Sequence, residues 1–248
     1  MKRHFFITTV VCMTGSALLF AQDETVPDTR PYHFGARVSF RPLKSFSVST
    51  VETSTTSPVA DYTYTGTNVL KRMAGGPVAE FGIGKRLSIV AELSIQSQEY
   101  QQKTEKRLGK KDTSASSDTR SVFTLAESTR ANLWDFPVLI RYRGLTSSGL
   151  LSKVYVNGGP TFRHIGRVRT GNETTNFDGT TDYNEIAAKP VKENQLGLTF
   201  GFGFRFIDEV GIRVTPEARF TRWMDSTFQG TAYRSVRNQA EIGVGFTF

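Results

Sequence analysis

The sequence predicts an all-β protein, an eight-stranded antiparallel up-and-down transmembrane β-barrel that follows a cleaved signal peptide. Three observations predict it: apolar and polar residues alternate strictly in several segments, no long apolar run follows residue 21, and short and long connections alternate. In a strand, such alternation makes one face apolar and the other polar. A chain that meets lipid without apolar helices satisfies its backbone there only by closing a sheet on itself.

The N-terminus has the order of residues that is typical of a secretory signal peptide. Lys2 and Arg3 precede a mostly apolar stretch, residues 5–20, and Ala21 follows it. The stretch is shorter than the ~20 residues that a membrane-spanning helix needs, and a small residue at its end suits cleavage. We predict a signal peptide, a short periplasmic leader and an outer-membrane barrel domain, which span residues 1–21, 22–31 and 32–248. A buried N-terminal helix is the alternative.

Charge and cysteine content exclude several classes of function. The formal net charge is +8, and removal of Lys2 and Arg3 with the signal peptide leaves +6. Cys12, the single cysteine, also leaves with it, so no disulfide or thiol chemistry is predicted. No aromatic residues interleave the cations as nucleic-acid binding requires, and no metal-binding motif appears. We therefore predict neither a nucleic-acid partner nor a cofactor.

The alternation is clearest in residues 195–206 and 238–248. The apolar face of the first stretch carries Leu196, Leu198, Phe200, Phe202, Phe204 and Phe206. In a membrane barrel such a face meets lipid, while the glycines opposite leave room in a narrow lumen. We expect the second stretch, which ends on Phe248, to pair with the strand near Phe34. The six other predicted strands are residues 34–41, 77–83, 88–98, 134–143, 153–164 and 212–221.

The connections predict the orientation of the barrel. Three are long and polar (47–72, 99–127 and 165–193), one is intermediate (224–236), and the others are short. Membrane barrels carry short turns on the periplasmic side and long loops outside, so we expect both termini to be periplasmic. Aromatic rings favour the two membrane interfaces. The residues that we place there are Tyr32, Trp134, Tyr142, Trp223 and Phe248.

The same register predicts a highly charged barrel interior. The inward-facing charges are Arg37, Arg41, Glu80, Glu92, Asp135, Arg141, Arg163, Arg205, Arg213, Glu217, Arg219 and Glu241, with Arg143 beside them. An eight-stranded lumen is just wide enough for its own side chains, and an unpaired buried charge costs several kcal/mol. We therefore predict a plug of arginine–carboxylate pairs. The alternative is a narrow pore that favours anions.

Three segments resemble a known family, the small bacterial outer-membrane β-barrel domains of the OmpA and OmpX types. They are Trp134-Asp-Phe-Pro-Val-Leu-Ile-Arg-Tyr142, Tyr155-Val-Asn-Gly-Gly-Pro-Thr-Phe162, and Pro216-Glu-Ala-Arg-Phe220 followed by Trp223. The resemblance covers roughly residues 32–248. It is specific for architecture and says little about activity. Our first hypothesis is a non-enzymatic structural or surface role through long extracellular loops, with outer-membrane lipid and an unknown extracellular ligand as partners. The resemblance also implies an assembly signal, Phe246 and Phe248, that the barrel-assembly machinery recognises.

Two other functions stay open at this point, a channel and an enzyme. Some barrels similar to these modify lipid A, and the resemblance then implies a rim site in which His164 works with Glu217 and the serines of 225–235. We predict no catalytic residue, because His33 and His164 lie far apart in sequence and neither falls in a catalytic motif. The basic segment 103–120 is predicted to be a solvated loop that meets anionic headgroups or an external ligand. A soluble secreted barrel is the weakest alternative.

Overall fold

The computed structural model describes residues 31–56, 59–69, 71–111, 117–144, 150–187, 190–208 and 210–248. The predicted signal peptide and most of the leader lie outside these residues. The described chain is nearly all β, with one 3₁₀ helix, Leu150–Ser152. Its strands are β1 (Tyr32–Phe40), β2 (Phe46–Val48), β3 (Thr50–Thr56), β4 (Val59–Val69), β5 (Met73–Gly82), β6 (Leu87–Glu92), β7 (Ser94–Leu108), β8 (Val122–Arg143), β9 (Val154–Thr175), β10 (Thr181–Ala187), β11 (Asn194–Phe204), β12 (Phe206–Ile207), β13 (Arg213–Trp223), β14 (Tyr233–Ser235) and β15 (Asn238–Thr247). No helix in this part of the chain is long and apolar enough to cross a membrane.

The antiparallel ladders of the main sheet follow one another around and lead back to the first strand. The order is β1–β5–β6–β8–β9–β11–β13–β15, and β15 pairs with β1. In that last ladder Ala36 lies opposite Phe246 and Val38 opposite Val244. The predicted antiparallel all-β fold is confirmed, and so is the pairing of the C-terminal strand with the first one.

The alternation of β11 shows why these residues form a membrane strand. Leu198, Phe200 and Phe202 expose 45%, 61% and 58% of their surface, whereas Thr199 between them is buried. Among the inward positions, Gly203 allows the close approach of a side chain from β9. A Cβ added there would lie 2.6 Å from the Tyr155 hydroxyl, so glycine makes the space that Tyr155 occupies.

The segments predicted to be long polar loops are largely strands, which corrects the sequence-based prediction. β3, β4, the upper part of β7, the upper parts of β8 and β9, and β10 are neighbours in one sheet. β8 and β9 are 22 residues long, about twice the ~9–11 residues that cross a bilayer. Polar and β-branched residues sustain this sheet, so it carries no hydrophobic alternation to reveal it. We call this six-stranded extension the wall.

Two connections fold back over the open end of the barrel beside the wall. The short strand β2 from the first connection pairs with β14 from the last, with Phe46 opposite Ser235. Gly66 of β4 lies against this small sheet. A Cβ added to Gly66 would clash with the Ala232 backbone carbonyl, so only glycine permits the approach. The pair β2–β14 therefore crosses the mouth of the barrel.

A β-bulge marks the point where β9 leaves the barrel and enters the wall. Opposite β8 the register runs from Leu133↔Ile165 to Ala131↔Val168, so Gly166 and Arg167 both face one residue of β8. Below the bulge the odd-numbered residues of β9 are buried, and above it the even-numbered ones are. A bulge of this kind inserts one residue and re-aims the side chains that follow.

Candidate functional site in the barrel interior and at its rim

The upper part of the lumen is organised around the carboxylate of Asp135 on β8. Arg163 donates to both of its oxygens, from Nε at 2.7 Å and from Nη2 at 2.9 Å. Arg41 adds an ion pair at 3.2 Å and Gln96 a hydrogen bond at 3.0 Å. Arg41 also donates to Glu241 at 3.2 Å. These five side chains come from five different strands or strand ends, so their bonds cross-link the inside of the sheet.

A second group surrounds the Glu217 carboxylate on β13. It accepts hydrogen bonds from Tyr155 at 2.7 Å and from Arg141 at 3.2 Å, and it also pairs with Arg219. Arg219 reaches across to Glu92 with two bonds, of 2.6 and 2.5 Å. The side chain of Glu217 is 1% exposed. A carboxylate so deeply buried is stable only with such partners, because its desolvation costs several kcal/mol.

Further contacts join the two groups into one network. Arg37 pairs with Glu241 and lies 3.9 Å from Glu92. Arg141 pairs with Glu80 at 2.7 Å, and Ser88 donates to the other oxygen of Glu80 at 2.7 Å. Ten of the twelve predicted lumen charges are thus linked by direct contacts. These contacts form one continuous charge network across the inside of the sheet.

The two remaining predicted charges lie at the short-turn end of the barrel. Arg213 is buried at the start of β13, opposite Thr247 of β15. Arg205 is half-buried in the break between β11 and β12. Arg143, at the end of β8, approaches Glu80 at 3.8 Å.

Trp223 does not lie at the lipid interface, and the prediction for it is wrong. Its side chain is 2% exposed and faces the lumen. The Arg163 guanidinium lies 3.7 Å from its ring centroid, and its Nε1 donates to Gln239 at 3.3 Å. The physical reason is the strand register. β13 points odd-numbered residues such as Arg213 and Thr221 inward, so Trp223 follows them and stacks on a buried cation.

The other aromatic residues predicted at the interfaces face outward. Trp134, at the wall end of the apolar band, is 43% exposed. Tyr32, Tyr142 and Phe248, at the short-turn end, expose 56%, 40% and 66%. Phe246, the other residue of the predicted assembly signal, exposes 47% on the same face. Outward-facing rings thus border the apolar surface at both ends, several at the short-turn end and Trp134 at the wall end, and amphipathic rings favour such interfaces.

An apolar cluster, which we call the cap, lies directly above the charge network. It consists of Phe46, Tyr100, Ala131, Leu133, Ile165, Val168 and Phe228. The ring of Tyr100 is 5.1 Å from that of Phe46 and 5.6 Å from that of Phe228. Sequence analysis missed the cap, because Phe46 and Phe228 are isolated apolar residues in polar connections and no local pattern distinguishes them.

A tyrosine pair seals one side of the cap. The hydroxyls of Tyr100 and Tyr233 are 2.8 Å apart and their rings stack with centroids at 3.9 Å. Burial, followed by the hydrogen bond from its partner, raises the pKa of Tyr233 above its ordinary value. The Tyr233 hydroxyl is therefore neutral at physiological pH and adds no charge to the apolar layer.

The residues proposed for a rim enzyme are not brought together. His164 is exposed on the outer surface, opposite Trp134, where its Nδ1 hydrogen-bonds Asn194 at 2.9 Å. Glu217 lies inside the lumen, on the other face of the sheet. Ser226 is buried and accepts a hydrogen bond from Arg234 at 3.2 Å. The sequence-based constellation of histidine, glutamate and serine is therefore wrong for this geometry.

The basic segment 103–120 is only partly a loop, because residues 103–108 belong to β7. Three of its cations, Lys103, Arg107 and Arg120, form ion pairs with nearby carboxylates. At the tip of the wall, Arg120 bonds Asp118 at 2.8 Å and Asp61 at 2.6 Å. The Arg120 hydrogen bonds hold the pKa of the Asp118 carboxyl below its usual range. We call Arg120, Asp118 and Asp61 the clamp, because their bonds fasten the connection between β7 and β8 to β4.

The interior charge network, the outward apolar surface with its aromatic rings and the extended wall are features of a class, the membrane-embedded β-barrel. Residues 20–229 match the family described as outer membrane protein beta-barrel domain. The chain belongs to this family, whose members are proteins of the bacterial outer membrane. No curated protein sequence matches the chain significantly.

Several solved structures are similar to this chain in fold. Neisserial surface protein A has 13% identity and a TM-score of 0.33, and the match covers 88% of this chain and 96% of that one. Ail, the attachment invasion locus protein of Yersinia pestis, has 6% identity and a TM-score of 0.31, with 88% and 100% covered. The translocator domain of autotransporter NalP from Neisseria meningitidis has 10% and 0.27, with 98% and 97% covered.

Proposed function

We propose that this protein is a non-enzymatic, non-conducting outer-membrane barrel that presents its wall at the cell surface. The observation that supports the proposal most directly is that two layers of side chains, one charged and one apolar, fill the interior. Arginine–carboxylate pairs span the lumen, and the apolar cap covers them toward the wall. An ion that crossed would have to displace buried charge pairs and then an apolar layer, each of which costs several kcal/mol.

Conductance across a planar bilayer tests the non-conducting role. We expect the refolded full chain to show no discrete current steps at low or high salt. We expect the same of the variant Phe46→Ala/Phe228→Ala, because the charge network below the cap stays in place. Resolved steps in the wild-type protein would favour the alternative, a narrow channel, and would overturn the proposal.

The wall supports the surface role, because long extracellular segments carry the contacts of outer-membrane barrels. Its inner face, above the cap, carries a row of aromatic residues. Tyr62 and Tyr64 stack at 6.3 Å, Lys106 lies 5.6 Å from the Tyr62 ring, and Phe123 contacts Phe177 at 5.9 Å. Aromatic rings of this kind supply contact area at low entropic cost, so we infer that this face meets an extracellular ligand.

The absence of enzymatic activity has its own test. We expect mass spectra of lipid A from cells with and without the protein to be identical, because His164 has no nucleophile or acidic partner beside it among the described residues. A change in acylation that disappears in His164→Ala would restore the rim-enzyme hypothesis.

We also propose that residues 1–21 direct export and that the barrel-assembly machinery recognises Phe246 and Phe248. The outward position of both rings, Phe246 on β15 and Phe248 directly after it, supports the second point, since a partner that binds this strand before it pairs with β1 would meet this face. Replacement of both by alanine should lower the amount of folded protein in the outer membrane. An equal change in the outward control Val38→Ala would argue against a specific signal.

A further inference from the structure

An open cavity of about 790 Å³ lies on the outer surface of the wall, across β7, β8, β9 and β10. Tyr183 of β10 forms its upper side and covers Gly171 of β9. A Cβ added to Gly171 would lie 2.6 Å from the Tyr183 hydroxyl, so glycine is what lets the ring lie flat there. The cavity is on the same side of the sheet as the lipid-facing residues Trp134 and Val138.

The lower edge of this cavity concentrates positive charge. Arg130 of β8 and Arg169 of β9 are directly opposite each other, and Arg167 is the next outward residue on β9. Like charges placed directly opposite destabilise a sheet. Within the described chain, Arg130 donates to Ser97 at 3.2 Å, Arg169 approaches Glu185 at 3.5 Å, and Arg167 makes no hydrogen bond or ion pair. Most of their N–H donors therefore point to solvent.

The acidic residues of the cavity lie higher or are engaged elsewhere. Glu173 and Glu185 lie beside Tyr183 on the upper side. Glu99, opposite Arg130 on β7, forms an ion pair with Lys71 at 2.5 Å. The edge toward the membrane is thus basic, whereas the upper side is mixed, with Lys103 level with Glu173.

The backbone of the arginines lies just beyond the headgroup layer, and their side chains are long enough to reach it. Trp134 marks the top of the outward apolar band, and its Nε1 lies near the bulge, 3.8 Å from a Cβ built on Gly166. Arg130 lies four residues before Trp134 on β8, which corresponds to about 14 Å along the strand toward the wall. With a strand tilt of about 40°, that is roughly 10 Å of height. Headgroup layers extend about 5–8 Å beyond the hydrocarbon, and long arginine side chains reach back toward it.

We propose that Arg130, Arg167 and Arg169 bind the phosphate of an outer-leaflet lipid whose acyl chains lie along the apolar band below Trp134. The guanidinium donors match phosphate oxygens in geometry and charge, and a bound phosphate removes the repulsion between Arg130 and Arg169. The proposal goes beyond the surface role and is independent of whether the lumen conducts.

Native mass spectrometry of the refolded full chain in detergent tests the site, with bis-phosphorylated lipid A as the probe. We expect the wild-type protein to retain lipid A. The variant Arg130→Gln/Arg169→Gln should retain at least tenfold less at the same lipid concentration. Phosphatidylcholine, whose phosphate is neutralised by choline, should bind neither protein at that concentration.

Arg222→Gln supplies the matched control. Arg222 is exposed near the wall end of β13 and bonds Asn238, but no second arginine lies opposite it. We expect this variant to retain lipid A as the wild type does, and a heat-induced gel shift checks that all variants are folded. Equal retention by the double variant would overturn the site. Retention of inorganic phosphate by the wild type, with no retention of lipid A, would show that free phosphate, not a lipid, is the ligand.

Discussion

The barrel and the wall share strands but have opposite polarity. On β8 within the membrane band, Asp135 and Arg141 face inward while Val138 and Ile140 face lipid. Just above Trp134, the apolar Leu133 and Ala131 face inward, and the polar Asn132 and Arg130 face outward. The polarity of the inward-facing side chains of β8 changes within one or two residues. The solvent on the outer face decides it: lipid forces polar groups inward, and water allows an apolar core inside.

The comparison teaches that the two zones are stabilised by different interactions. The membrane zone relies on paired charges in a filled lumen, where removal of one partner leaves the other charged and buried. The wall zone relies on the cap and on ordinary sheet pairing, as a soluble protein does. Variants that target one zone should therefore leave signs of order in the other.

The largest effect is expected from Glu217→Gln in the membrane zone. The amide cannot compensate the charges of Arg141 and Arg219, although it still accepts a bond from Tyr155. We expect a loss of about 3 to 5 kcal/mol in the free energy of unfolding, measured by urea titration in micelles and by the heat-induced gel shift. Glu52→Gln, on the exposed strand β3, is the control. An unchanged gel shift for Glu217→Gln would show that the network does not depend on this carboxylate.

Phe228→Ala tests the cap and should cost about 3 kcal/mol, the lower end for deletion of a buried phenylalanine. The loss should be local. We expect faster trypsin cleavage at Arg234 and Arg237 in the connection over the mouth, with the barrel still resistant. Phe177→Ala, where the ring is 44% exposed, should change neither. Global unfolding in step with the cleavage would mean that the two zones do not separate.

Val138→Arg and Ser128→Arg compare the outer faces of the two zones on one strand. At Val138, near the middle of the apolar band, arginine should cost about 2 kcal/mol because it enters the hydrocarbon. At Ser128, in the wall, it should cost almost nothing. Unfolding titrations of both variants in lipid vesicles decide the point. Equal costs would place the membrane boundary elsewhere than at Trp134.

The smallest effect is the pH response of the clamp between Asp118 and Arg120. The folded pKa of Asp118 lies below its unfolded value of about 3.9. The clamp's contribution is therefore fully present above that value and is lost as pH falls through the folded pKa. Hydrogen exchange at residues 117–120, corrected for intrinsic rates, should stay slow at pH 5 and quicken only well below pH 4. In Asp118→Asn it should be fast throughout, and a wild type that loosens already near pH 5 would contradict the assignment.

The parts of the fold that sequence predicts well are those where lipid constrains it. In residues 195–206 every outward side chain is apolar, so strand, register and facing follow from period two alone. The wall escapes prediction because polar residues line both of its faces, as in Thr50–Thr56, and hydrophobicity then carries no period. The cap escapes because Phe46 and Phe228 meet only in three dimensions. The alternation of β13 alone predicts that Trp223 faces inward. The general preference of tryptophan for membrane interfaces led to the wrong prediction for it.

The bulge at Gly166 and Arg167 also makes the two zones separable units of design. Its one additional residue switches which residues of β9 face inward. As a result, Val168 enters the cap and Arg169 faces out. A chimaera that grafts this wall onto another barrel would have to carry the junction with it. Without the extra residue, the side chains of β9 above the junction would point to the opposite face of the sheet.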